Sequence, residues 1–288
     1  LKRDDRLYEI HDLLRQHLVL KLAGGVKVKL HKKIGQMYQK ELGSMRSSEA
    51  IYHFTEAGIC DTAADLLIRY GDDIIARGLA SSLVEPARKL LERCERLDCE
   101  ATKLLHRIGD ILESSGNWDE ALGVYDQAIK ACGGQDLAGA KVMMKIGMIQ
   151  IRRNNHAEAQ RILEKALNLS SELNATELIA EIRCTLGNLF IQQCDYDRAL
   201  SEFEEGLTFA RKSGSHRVEG KSLYGIGRVE QARGNSAKSI GTKRKAAEIF
   251  EAHGETMELS KVLTAIGASY FNAGELEKAL EYHDKALK

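Results

Sequence analysis

The residues most able to do chemistry here are a glycine-flanked lysine, dispersed histidines, scattered cysteines and adjacent carboxylates. Gly220-Lys221-Ser222 has the ending of a phosphate-binding loop, in which backbone N–H groups cradle phosphate and the lysine meets its charge. That loop needs a glycine five residues before Gly220. Gly214 lies six before, and no strand pattern precedes it. Gly225-x-Gly227 lacks the strand–helix–strand surroundings of a dinucleotide fingerprint. Nine histidines are spread along the chain. Neither His11 with His17 nor His31 with His53 has metal-helix spacing, and no cysteine stands at a complementary interval. The six cysteines, Cys60, Cys94, Cys99, Cys132, Cys184 and Cys194, form no CxxC pair. Several fall on apolar helix faces, which reads as reduced thiols rather than a disulfide or metal framework. Asp72–Asp73 and Glu204–Glu205 read as solvated helix faces. No nucleophile–base set can be assembled, so we expect no catalytic residue, metal or cofactor in this chain.

The elements carrying these residues are helices arranged by a repeat. The small residues Gly109, Gly147, Gly187, Gly227 and Gly267 recur at steps of 38, 40, 40 and 40. Each follows a branched aliphatic residue: Ile108, Ile146, Leu186, Ile226 and Ile266. Twelve residues later comes Ala121, Ala159, Ala199, Ser239 or Ala279, and nineteen later Ala128, Ala166, Gly206, Ala246 or Ala286. In the third copy, Leu186, Gly187 and Phe190 share one face of a first helix; Ala199, Phe203, Gly206 and Leu207 share one face of a second. The small residues let two helices cross closely, and Phe190 and Phe203 fill the space beside that crossing. Gly134, Asn174, Gly214 and Gly254 lie 13 residues before the next first-helix glycine. Glycine and asparagine tolerate the left-handed conformation that ends a helix, so they mark the ends of second helices.

This pattern resembles the tetratricopeptide repeat over residues 102–288. The period is 40 rather than about 34, and the repeat-ending proline is missing, Pro86 being the chain's one proline. The resemblance implies an all-α fold, a right-handed α-solenoid of helix hairpins. The fourth copy carries Glu230 and Lys243 where the others usually have apolar or aromatic residues, so we expect looser packing there.

The N-terminal part divides as 1–25, a helical tail, and 26–100, a helical arm of degenerate repeats; 101–288 holds the five good copies. Residues 5–22 form an amphipathic helix whose apolar face is Leu7, Ile10, Leu13, Leu14, Leu18 and Leu22. Ile10-His11-Asp12 resembles the end of the winged-helix module of signal-transducing ATPases with numerous domains. The resemblance implies that His11 meets a bound nucleotide's phosphate; read alone, His11 is a surface residue of its helix. In 26–58, Gly35, Tyr38, Ala50, Phe54 and Ala57 match the repeat with three extra residues in the turn. Asp61 reads as the N-cap of the following helix.

Charge sets the class of partner. Forty-two basic residues balance forty-two acidic ones, so a general phosphate-backbone partner is not expected. Lys27, Lys29, Lys32 and Lys33 cluster locally without interleaved aromatics, as a solvated or docking face does. No 18-residue apolar run and no signal-peptide pattern occurs, so no membrane association is expected. The chain starts with leucine and ends within a helix, so we expect a piece of a longer cytoplasmic protein, one able to oligomerise when whole.

What remains is surface. In the resembled family, first helices line a concave inner face. That implies a ligand-binding groove from His106, Asp110, Met144, Met148, Cys184, Asn188, Tyr224, Arg228 and Phe271. Methionine adapts to varied ligands, which suits binding; burial by the superhelix's own curvature would account for the same residues. A peptide or protein ligand is expected, either for the sensor of a signalling ATPase or for a stand-alone scaffold.

Overall fold

The structure, a computed structural model, describes residues 24–40, 44–93 and 99–287. They form fourteen α-helices and one short 3-10 turn, with no strand among the described residues. The expected helix over 5–22, and His11 within it, lie outside them. The fold is all-α, built of helix hairpins.

Contacts divide the chain into two compact units, Leu1–Ala131 and Cys132–Lys288. Unit 1 contains α1 (Gly24–Lys40), α2 (Ser44–Glu56), α3 (Cys60–Ala76), the 3-10 turn Ala80–Leu83, α4 (Val84–Arg93), α5 (Cys99–Ser114) and α6 (Trp118–Cys132). Within unit 1, α5 packs against both α3 and α4. Ile59, not Asp61, precedes α3, and Asp61 sits in its first turn.

Unit 2 is a solenoid stack of four hairpins: α7 (Leu137–Arg152) with α8 (His156–Glu172), α9 (Thr176–Gln192) with α10 (Tyr196–Ser213), α11 (His216–Ala232) with α12 (Ser236–Ala252), and α13 (Thr256–Asn272) with α14 (Leu276–Leu287). Each helix touches the next in sequence, and α9 also touches the first helices on both sides, α7 and α11. Two apolar clusters form its core, one from Ala140 to Val229 and one from Leu223 to Ala279.

A single contact recurs at five crossings. The side chain sixteen residues after each first-helix glycine lies on that glycine: Tyr125 on Gly109, Leu163 on Gly147, Phe203 on Gly187, Lys243 on Gly227 and His283 on Gly267. Phe54 lies on Gly35 in the same way, displaced by the three extra turn residues. A methyl group at Gly187 would stand 2.7 Å from the Phe203 ring, so glycine is required there.

The turns follow the same period. Gly134, Asn174, Gly214 and Gly254, the expected helix-ending residues, all have positive φ. A second series at the hairpin tips, Gly116, Asn154, Cys194, Gly234 and Gly274, is left-handed too. Asp136 and Asp195 cap α7 and α10, accepting from the Gly139 and Arg198 N–H groups at 2.8 and 3.1 Å.

Two glycine substitutions should separate packing from propensity. Gly187→Ala should destabilise by about 1–3 kcal/mol through overpacking against Phe203. Gly241→Ala, in the interior of α12 with nothing within 4 Å of the added methyl, should stabilise by about 0.5–1 kcal/mol. Urea unfolding midpoints of the two variants read both signs.

Candidate functional site

The structure places the expected groove residues in two separate settings. In unit 1, Asp110 is buried on α5 and accepts the Tyr125 hydroxyl at 2.8 Å; Glu113, also buried, accepts it at 3.3 Å. His106 stands 3.8 Å from Asp110. The aliphatic stem of Arg107 lies on Gly71, and its guanidinium binds Asp72 at 2.6 Å and Asp110 at 3.3 Å. Burial, then the charges of Asp110 and Glu113, push the Tyr125 phenol far above its ordinary value. Asp110 thus ties α5 to α6.

In unit 2 the expected residues split. Met144 is 8% exposed and Cys184 6%, and both belong to the apolar core. Cys184 points at the neighbouring repeat: its Sγ lies 3.1 Å from Ser222 Oγ on the next first helix. Burial pushes the Cys184 thiol up to about 11, against the Ser222 hydrogen bond. It is a poor nucleophile, as an inert core thiol is.

Asn188, Tyr224 and Arg228 come together at the edge of that core, all half-buried. Arg228 Nη1 donates to Asn188 Oδ1 at 2.6 Å, bridging α11 to α9. Asn188 Nδ2 donates to the Cys184 carbonyl at 2.9 Å, which fixes the amide's orientation. The Arg228 guanidinium lies 5.9 Å from the Tyr224 ring centroid. Met148 on α7 is half-buried, and Phe271 on α13 is 62% exposed.

One residue of this region was not expected to bear on function. Lys243 on α12 is 0% exposed, with its stem on Gly227. Its ammonium donates to Gln231 Oε1 at 2.5 Å and to Ser269 Oγ at 2.9 Å. Burial pushes it down to about 8, and the Arg228 charge pushes the same way. Glu230 is buried as well, its carboxylate held by Lys238 at 2.6 Å and Asn235 at 2.8 Å. Those two hydrogen bonds keep it below the usual carboxylate range. The fourth repeat therefore replaces apolar contacts with hydrogen-bonded polar ones, where looser packing was expected.

The loop-like motifs are packing devices. A methyl at Gly220 would stand 2.6 Å from Phe250, and one at Gly225 2.3 Å from Phe203. Ser222 donates to the Val218 carbonyl at 2.9 Å, and Lys221 pairs with Glu258 at 3.7 Å. No described helix is long and apolar enough to cross a membrane.

A model of the tetratricopeptide repeat family matches residues 99–172 and 140–212. Residues 99–212 are tetratricopeptide repeats. Tetratricopeptide repeat protein 29 of Trypanosoma brucei brucei is 22% identical over 131 residues, 46% of this chain and 27% of that protein. Among solved structures, a signal transduction ATPase with numerous domains from Pyrococcus horikoshii, which has a tetratricopeptide repeat sensor, superposes with a TM-score of 0.62 at 16% identity. The match covers 99% of this chain and 43% of that one. A Rap protein complexed with competence and sporulation factor gives a TM-score of 0.62 at 14% identity, covering 92% of this chain and 75% of that one. NprR in complex with its cognate peptide NprX gives 0.60 at 14% identity, covering 77% and 66%. At these identities the likeness is one of fold. Tetratricopeptide repeats serve protein–protein interaction, and the repeats of unit 2 carry a polar cluster on their first helices.

The buried lysine makes a pH prediction. The folded chain binds the Lys243 proton only below about pH 8, whereas the unfolded chain holds it to about 10.5. Between those values the unfolded state carries more protons, so stability rises with pH. Relative to Lys243→Met, the unmodified chain should gain stability between pH 8 and 10.5 and be at its weakest below 8. Parallel urea titrations across that window measure the slope.

Proposed function

We propose that the first helices of unit 2 bind a peptide or a segment of another protein, and that this chain is the sensor of a signalling ATPase. The observation that carries the reading is the Asn188–Arg228 bridge beside Tyr224 on adjacent first helices. It is a half-buried cluster of an amide, a guanidinium and an aromatic ring. Met148 and Phe271 add apolar contact on the same set of helices, and arginine and aromatic residues are the usual anchors of binding surfaces.

Two neighbours in fold support a peptide ligand: NprR holds its cognate peptide, and the Rap protein holds competence and sporulation factor. The ATPase linkage is supported by the Ile10-His11-Asp12 triplet and by the Pyrococcus horikoshii protein, of which this chain spans 43%. In such a protein the ligand acts by binding one state of the ATPase more tightly than the other, and its effect is limited to that difference in affinity.

Two experiments bear on the two halves of the proposal. Partner binding by the full-length protein should fall about tenfold or more with Arg228→Glu, the loss expected of an anchor, while the helical circular-dichroism spectrum is retained. Unchanged binding would place the partner elsewhere. Reading the coding sequence upstream of Leu1 addresses the ATPase: a phosphate loop there supports the sensor, and its absence leaves a stand-alone scaffold.

A further inference from the structure

The hairpin of α1 and α2 is held differently from those of unit 2. Of the residues of α1, Gly35 and His31 are the buried ones. Gly35 lies under the Phe54 ring. His31 meets His53 of α2, itself buried, with the two Nδ1 atoms 2.8 Å apart. Val26, Val28, Leu30 and Met37 of α1 are exposed and add little to the grip. The His53 ring stacks on Tyr38 at 6.0 Å between centroids, and Tyr52 stands edge-on to both imidazoles.

His31 stands four residues before its glycine, and His53 one before the side chain that covers it. In the third copy those two places hold Arg183 and Glu202, an ion pair at 2.9 Å. In the first copy they hold Leu105 and Val124, and in the second Met143 and Ile162. Either kind of pair is indifferent to pH near neutrality. Two imidazoles are complementary only while one Nδ1 carries a hydrogen and the other a lone pair. One added proton can go to an Nε2 and leave that bond intact. A second puts hydrogens on both facing nitrogens and two like charges in a buried site. The charged groups around His31 are Lys27 on α1, Glu56 on α2 and Lys89 on α4, and Lys89 also binds Glu56. Burial, opposed by Glu56 and aided by both lysines, holds the His31 imidazole below its ordinary value.

We propose that the His31–His53 pair is an acid-sensitive latch, closed while at most one ring is charged and released when both are. Opening frees α1 and leaves the remaining hairpins folded, since α2 is the helix against which α1 chiefly packs. A released imidazole takes up its proton at a higher pH than the buried one. Attachment is therefore complete above about pH 6.5 and is lost as the pH falls below it. Lys27, Lys29, Lys32 and Lys33 are carried on α1, so acid frees a basic segment.

Hydrogen exchange of the full chain, corrected for the intrinsic pH dependence of amide exchange, tests the latch between about pH 7.5 and about pH 5. Amides of α1 should be protected at the upper end and lose that protection at the lower, while α9 and α10 keep theirs. His31→Leu with His53→Val, the pair of the first copy, should keep α1 protected throughout. If that double variant fails to fold, His31→Arg with His53→Glu, the ion pair of the third copy, serves in its place with the same result expected. Constant protection of α1 in the unmodified chain overturns the latch. So does a loss equal in the variants, or one shared with α9 and α10, which is general acid unfolding.

Discussion

A side chain resting on a glycine is the contact on which this structure depends. Two helices can cross at the close end of the usual 8–10 Å range only where one offers no β-carbon. The partner helix then supplies one side chain sixteen residues later to cover the bare backbone. Tyr125, Leu163, Phe203, Lys243 and His283 do this at successive crossings, and their chemistry hardly matters to the packing. The contact needs only a stem of suitable length. The methylenes of Lys243 fill the place of a phenyl ring and carry the charge beyond it, as long cationic side chains do.

The turns complete the same constraint. A left-handed residue near each helix end reverses the chain at both hairpin tips and hairpin junctions. Glycine meets this without cost, and asparagine nearly so. Cys194 occupies such a position at φ 58°, where neither residue type is present. Regular reversal brings first helices beside first helices, so the Arg228–Asn188 hydrogen bond can join residues forty apart in sequence.

The glycines, the alanines and the junction residues were legible in the sequence because each position admits few residue types. From those the helices, their order and the all-α fold followed. The covering position was not legible as a series. Tyrosine, leucine, phenylalanine, lysine and histidine share no class, and only Phe203 stood out. Lys243 consequently looked like damage to a repeat. The hairpin-tip series was missed because Asn154 and Cys194 interrupt its glycines. Among the groove residues, Asn188 and Arg228, each just after a glycine, lie half-buried at the edge of the core. Met144 and Cys184 are buried in the core instead, and Cys184 meets Ser222 of the next repeat. A pattern within one repeat says which side of a helix is apolar; it does not say which of those residues the neighbouring repeat covers.

The central claim is that stacked hairpins expose their first helices as the working surface. Hydrogen exchange of the full-length protein, with and without its bound partner, tests this most directly. Protection gained on α9 and α11, with α10 and α12 unchanged, is the result this account predicts. Protection confined to the second helices, or to segments outside unit 2, would contradict it.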